Sequence, residues 1–203
     1  MNDPDGRIEL VRICRMLYER KLTVSAGGNV SVRLNDGTFL ITPSGKNKGL
    51  LTEKEIVRID KNGEPLDGGK PSIERFFHLA LYDSNSSVNA VIHCHPLYCT
   101  ALAVRGEKVD CSLTPEGVIL LGEVPMVGYH TPGSAELVDA IREKHSHMAM
   151  TMARHGALTQ GRDLIEAYNR MEELEFQANL QVLTPEAGRL SEAEIKRITG
   201  DAP

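Results

Sequence analysis

Val88-Asn89-Ala90-Val91-Ile92-His93-Cys94-His95-Pro96 is the stretch on which the fold turns. Residues 88–93 form an apolar run that suits a central strand. Residues i and i+2 of a strand point to the same face, so His93 and His95 converge on one spot while Cys94 turns to the other side. Pro96 ends the strand where a helix favours proline at its start, and 97–104 follow as a short helix. A strand end is where sheet proteins commonly offer ligands to a crevice. Alone, the His-x-His pattern describes two partly exposed histidines as well as it describes half of a metal site.

Upstream, 73–83 read as a helix with Ile73, Phe76, Phe77 and Ala80 inward and Glu74, His78 and Tyr82 on another face. Residues 7–20 are an amphipathic helix, which Gly27 and Gly28 keep from continuing. Val30, Val32 and Leu34 alternate with polar residues as in a half-buried strand, and Asn35-Asp36-Gly37 turns the chain into a partner strand at 39–41. Thr52 and Glu55 suit a short capped turn, followed by apolar Ile56, Val57 and Ile59 and a turn at Asn62-Gly63. Downstream, 118–121 and 124–128 read as strand material, and Ser134 caps a helix to about His145. Strands at 148–152 and 157–159 flank Arg154-His155-Gly156. Asp163 and Glu166 open a long helix to about Val182, with Leu164, Tyr168, Met171, Leu174 and Ala178 as its core stripe. Ser191 and Glu194 start a last short helix. No repeat, low-complexity tract or linker interrupts the interleaved pattern. It predicts one α/β domain over 1–203, layered on a mostly antiparallel sheet.

Composition narrows the function. The 203 residues carry a net charge of −5 with no run of basic residues, and only 4% are aromatic. Neither a phosphate-backbone surface nor a base-stacking platform is offered, so no nucleic-acid partner is expected. The polar N-terminus and the lack of an apolar run of membrane-span length predict no signal peptide, no membrane partner and a cytoplasmic location. Four cysteines without a CxxC pair read as free thiols in a reducing compartment.

His155 supplies a third imidazole at a turn between apolar runs. Three protein ligands with one open position is the catalytic zinc pattern, whereas a structural site needs a fourth closing ligand. Cys94 lies between two of the histidines but faces away, as a small buried residue. His78, one helical turn after Glu74, reads as a packed or surface histidine beside the site, and His130, His145 and His147 as loop or solvent-facing rings. Three short polar turns, Gly27-Gly28-Asn29, Thr42-Pro43-Ser44-Gly45 and Lys70-Pro71-Ser72, could together cradle an anion. Each alone describes an ordinary turn or cap. Glu74 suits the first turn of its helix as a dipole-stabilised carboxylate, and near a metal it could act as ligand, base or acid.

These segments occur in the order GGNVSVR (27–33), ITPSGK (41–46), KPSIE (70–74), HCHP (93–96), TPGSAEL (131–137) and RHGAL (154–158). That order resembles the class II aldolase/adducin family over about residues 7–183, and within it most closely the L-fuculose-1-phosphate aldolases of the archaeal type. The resemblance implies three α/β/α layers around a mostly antiparallel sheet and a homotetramer with active sites between subunits. It implies one Zn2+ per subunit, with Mn2+, Co2+ or Fe2+ as alternatives, held by His93, His95, His155 and Glu74. It gives Glu74 the catalytic acid/base role and sets Gly28, Asn29, Ser44, Gly45 and Ser72 around a substrate phosphate. The implied partner is a small sugar phosphate: a ketose 1-phosphate, such as L-fuculose 1-phosphate, cleaved to dihydroxyacetone phosphate and an aldehyde such as lactaldehyde. Family relatives with epimerase, dehydratase or decarboxylase chemistry offer an alternative on the same site, and non-catalytic adducin-like modules lack its residues. Two departures stand out. Ile73 replaces a family serine, and neither the region of Thr114 nor the chain after residue 183 holds the family's catalytic tyrosine, which leaves Glu116 as the nearest carboxylate in that segment.

Overall fold

The computed structural model describes residues 1–200, so the last three residues of the 1–203 domain lie outside the described residues. Seven strands make one mixed sheet: β1 (Asn29–Arg33), β2 (Phe39–Ile41), β3 (Val57–Ile59), β4 (Ala90–Cys94), β5 (Met126–Val127), β6 (Ala149–Met152) and β7 (Gly156–Gly161). Their order is β3-β2-β1-β4-β7-β6-β5. Every neighbouring pair is antiparallel except β5 with β6. Seven helices complete the described chain: α1 (Asp3–Glu19), α2 (Arg75–Ser84), α3 (Leu97–Arg105), α4 (Pro115–Leu120), α5 (Ala135–Arg142), α6 (Leu164–Leu183) and α7 (Glu192–Thr199). Side chains of α1, α3 and α6 share a core with Val30, Val32, Ala90 and Ile92 on one sheet face. Those of α2 and α5 pack with Ile41, Val91, Met150 and Leu158 on the other. The three-layer α/β/α expectation holds.

Local chemistry explains most boundaries. Asn2 caps α1 by accepting from the Asp5 N–H at 3.0 Å, and Pro4 sits in the first turn, so the helix starts four residues before the predicted 7–20 span. Asp163 caps α6 in the same way at 2.7 Å. The predicted stripe of α6 is buried throughout, and fully buried leucine and methionine side chains contribute about 1.5–3 kcal/mol each.

Five expectations are corrected. Residues 118–121 belong largely to a helix, not a strand: Pro115 opens α4 and the Thr114 hydroxyl accepts from Gly117 N–H at 3.3 Å. A short apolar run cannot separate the two by periodicity. β1 is covered on both faces, because α2 lies over the side predicted to be wet and Ser31 is as buried as Val30. In α2 the inward face is Phe77, His78, Leu81 and Tyr82, while Ile73 precedes the helix and is 56% exposed and Phe76 is 40% exposed. The polar residues go inside because each finds a buried partner, as described below. Glu74 is the residue just before α2, not one within its first turn. Helix α5 ends at Arg142, short of His145. All four cysteines are buried and unpaired. Among the described residues, no helix is long and apolar enough to cross a membrane.

Candidate metal centre

β4 is the middle strand of the sheet, and its register carries the site. His93 stands opposite Asn29 of β1 on one side and Leu158 of β7 on the other. Its ring lies on the α2 side, edge-on to Phe77 with centroids 5.7 Å apart. Cys94 points into the opposite core, as the strand period demands. His95 follows just past the strand end. His155 reaches the same place from the β6–β7 turn, where Arg154 takes a left-handed φ of 57°. Gly156 follows because nothing larger fits: a Cβ there would collide with the Cys94 carbonyl oxygen and lie 2.6 Å from the His95 ring. Gly28 is equally constrained, with φ of 70° and the His93 carbonyl oxygen 2.5 Å from where a Cβ would stand.

The three rings meet. Their centroids are 4.7, 4.7 and 5.3 Å apart, and their ligand nitrogens lie within 4.8 Å of one another. His93 Nε2 and His95 Nε2 are 3.1 Å apart. Glu74 joins them: its Oε1 is 3.4 Å from His155 Nε2 and its Oε2 is 3.6 Å from His93 Nε2. Bonds of about 2.0–2.1 Å to a tetrahedral zinc put neighbouring donor atoms roughly 3.3 Å apart. The His93–His95 separation of 3.1 Å and the 3.4 Å from His155 Nε2 to Glu74 Oε1 are of that size.

The protonation pattern fits a cation. Burial, reinforced by the His155 ring and countered by the Ala157 carbonyl, lowers the His93 pKa to about 3. Burial and the neighbouring His93 and His155 rings, opposed by Glu74, lower His95 to about 3 as well. Both are neutral near pH 7, with lone pairs available. His93 Nδ1 lies 2.9 Å from the Ala157 carbonyl oxygen, to which it donates, so Nε2 faces the cluster bare. Glu74 Oε1 is buried and unpartnered among the protein groups. An orphaned carboxylate oxygen beside neutral imidazoles suits a divalent metal.

A cleft of about 240 Å³ opens from this cluster. Its wall holds Gly28, Asn29, Ser44, Gly45 and Ser72, the residues expected to cradle an anion, together with Glu74, His95 and His155. The Thr42 and Lys70 turns run side by side, with Ser44 N–H on the Lys70 carbonyl at 3.0 Å and Ser72 N–H on the Thr42 carbonyl at 3.2 Å. Ser72 Oγ accepts from the Glu74 N–H at 3.3 Å. The Asn29 side-chain amide is bonded to Glu74 and His78. Ile73 lines the cleft where the resemblance expects a serine. Thr114 is not part of it, because its hydroxyl is bonded to Gly117 and Gln177, and Glu116 is exposed on α4.

Two residues enter that were not among the expected metal or phosphate groups. Lys48 lines the cleft although only 3% exposed, and its ammonium donates to the Ala26 carbonyl at 3.0 Å and the Lys46 carbonyl at 2.9 Å, with no carboxylate partner. Burial lowers its pKa. Nothing in sequence separates it from its neighbour Lys46. His78 is buried and linked to Asn29, and its spacing one turn after Glu74 was the available signal.

A family model described as the class II aldolase and adducin N-terminal domain matches residues 8–182. An L-fuculose phosphate aldolase of Methanococcus maripaludis is 39% identical over 176 residues, covering 86% of this chain and 95% of its own. A 3-oxo-tetronate 4-phosphate decarboxylase of Haemophilus influenzae is 36% identical over 186 residues, covering 89% and 88%. Among solved structures, the Escherichia coli protein YgbL, described with aldolase, epimerase and decarboxylase as alternatives, superposes with a TM-score of 0.92 at 34% identity, covering 97% and 98%. An L-fuculose 1-phosphate aldolase superposes with a TM-score of 0.88 at 30% identity, covering 97% and 95%.

Proposed function

We propose that this chain, which belongs to the class II aldolase and adducin N-terminal domain family, is a zinc-dependent aldolase that cleaves a ketose 1-phosphate such as L-fuculose 1-phosphate into dihydroxyacetone phosphate and an aldehyde. The observation that carries the reading is the convergence of His93, His95, His155 and Glu74 at the end of a cleft lined with small polar groups. His93, His95 and His155, with Glu74, would hold the cation, with Mn2+, Co2+ and Fe2+ as the other candidates. A divalent ion there supplies Lewis acidity to a substrate carbonyl and its neighbouring hydroxyl.

The protein groups do the rest. Gly28, Ser44, Gly45 and Ser72 hold the phosphate, and Lys48 adds positive charge to a wall that Asn29 completes. When the carbon–carbon bond breaks, the departing hydroxyl gives up its proton and the bonding pair stays on the three-carbon fragment as an enediolate. That fragment must then take a proton on carbon: Glu74, a carboxylate in the resting site, would take up the proton released through water from the departing hydroxyl and return it to that carbon. The exposed apolar side chains of Tyr18, Val24, Leu97 and Val104 beside His95 support the homotetramer with sites between subunits. Four unpaired buried cysteines support the cytoplasmic location.

A second reading has its own support. Loss of carbon dioxide from 3-oxo-tetronate 4-phosphate leaves the same enediolate of dihydroxyacetone phosphate, and the departing group has no hydroxyl proton to give up. That reaction needs one proton on carbon, which Glu74 would pass on after taking it from water, and it does not call on the tyrosine that the resemblance expects near Thr114 and that this chain lacks. The test uses the full chain, stripped with a chelator and reloaded with Zn2+, against each substrate. Dihydroxyacetone phosphate is released in both reactions, lactaldehyde in one and carbon dioxide in the other. Release from L-fuculose 1-phosphate only after reloading is expected. Equal release with and without metal overturns the metal role, and release from neither substrate overturns both readings.

A further inference from the structure

Behind Glu74 a line of buried polar side chains runs along the α2 face of the sheet. Asn29 Nδ2 is 2.7 Å from Glu74 Oε2. Asn29 Oδ1 is 2.5 Å from His78 Nε2, and His78 Nδ1 is 2.7 Å from Ser31 Oγ. Ser31 Oγ is 2.6 Å from the Tyr82 hydroxyl. Glu74 is 8% exposed, and Asn29, Ser31, His78 and Tyr82 are each 3% exposed or less.

Only one set of donors and acceptors fits. A carboxylate accepts and never donates, so the Asn29 amide must turn its NH2 to Glu74. Its carbonyl oxygen then needs a donor, which only His78 Nε2–H provides. Burial lowers the His78 pKa well below the ordinary value, so the ring carries one proton and Nδ1 is bare. Ser31 donates to that nitrogen and, with its own hydrogen spent, accepts from the Tyr82 hydroxyl. The line therefore has a single polarity, Tyr82 to Ser31 to His78 to Asn29 to Glu74.

We propose that His78 is a positioning residue: through Asn29 it reserves Glu74 Oε2 as a hydrogen-bond acceptor and leaves Oε1 as the oxygen presented to the histidine cluster. Oε1 is the carboxylate atom with no protein hydrogen-bond partner, and it lies on the His155 side. The line is not a proton wire, because an amide cannot accept a proton at one end and release one at the other as an imidazole does. Its action is geometric. Outer partners that orient first ligands typically change metal affinity or activity 10–100-fold when removed.

The assignment of donors is independent of the metal reading, and only the affinity arm below rests on it. In the metal-free full chain, 15N NMR of the His78 ring is expected to show a protonated Nε2 and a bare Nδ1. A protonated Nδ1 or an averaging pair of tautomers overturns the proposal. The second arm compares H78Q, whose amide nitrogen can stand where Nε2 donates, with H78N, whose amide reaches only the Nδ1 side. Zn2+ affinity is expected to fall about 10–100-fold in H78N and to stay within about threefold of the parent in H78Q, at similar melting temperatures. Equal losses in both variants, or no loss in H78N, reduce His78 to a packing residue and overturn the proposal. A parent chain that binds no divalent ion defeats the metal reading instead, and the ring tautomer then decides the proposal alone.

Discussion

Helices α6 and α2 bury one face each on opposite sides of the same sheet, yet only one of them advertises that face in its sequence. The inner stripe of α6 is Leu164, Met171, Leu174 and Ala178 with Tyr168, at helical spacing and buried as read. The inner face of α2 mixes Phe77 and Leu81 with His78 and Tyr82, and its leading residue, Glu74, is buried too. Hydrophobic periodicity finds a buried face when solvent exclusion is what stabilises it. It misses a face whose polar groups are buried because they are paired with one another, and that is the face that meets the histidine cluster. The comparison predicts that damage on the two sides will be read by different instruments.

The largest effect is expected from His155→Ala. It removes one of three imidazoles and should abolish tight Zn2+ binding, with kcat/KM falling at least about a thousandfold if the cation supplies several kcal/mol of charge stabilisation. The melting temperature of the metal-free chain should move less than for a core truncation, because His155 Nδ1 has no protein hydrogen-bond partner to lose and Nε2 meets Glu74 only at 3.4 Å. Titration calorimetry with Zn2+ and a thermal melt decide this, and Zn2+ affinity like that of the parent would remove His155 from the centre. Leu174→Ala is the mirror image on α6. Leu174 is fully buried, so the cavity should cost about 2–5 kcal/mol in denaturant unfolding with Zn2+ affinity unchanged. A loss of affinity at constant fold would mean that the two sides of the sheet are coupled.

The same contrast explains what was legible in the sequence. The sheet and its antiparallel hairpins follow from alternation and turn residues, which are local. Of the histidine cluster, the pairing of His93 with His95 follows from the strand period of two, which is local, whereas the place of His155 beside them was implied by the resemblance. The identity of 118–121 was not local: Val118, Ile119 and Leu120 suit either element, and the Thr114 cap with Pro115 decides for helix. Lys48 was less legible still. Lys46 and Lys48 look alike in sequence, but closure of the loops buries Lys48 and leaves Lys46 exposed. A buried ammonium without a counter-ion is costly, and the cleft it lines is where an anion would relieve it. Lys48→Met is therefore expected to weaken binding of inorganic phosphate about tenfold or more, the worth of a charge-assisted hydrogen bond. Isothermal titration of the metal-loaded chain with phosphate reads this, and unchanged affinity would make Lys48 a strut between Ala26 and Lys46 and nothing more.

The smallest effect sharpens the comparison most, because it concerns a residue that periodicity placed inside and the structure places at the cleft. Ile73 is 56% exposed and lines the cleft together with Pro132, so it fills no core. Ile73→Ser should change stability by less than about 0.5 kcal/mol, as surface substitutions do. It adds a hydroxyl next to Ser72, and one neutral hydrogen bond contributes about 0.5–1.5 kcal/mol, so phosphate affinity should rise about two- to tenfold. Were Ile73 part of the inner stripe, the same substitution would instead cost burial energy and leave phosphate binding alone. A thermal melt and a phosphate titration on one variant thus separate a cleft residue from a core residue. A fall in affinity would show that the apolar side chain itself packs against what the cleft holds.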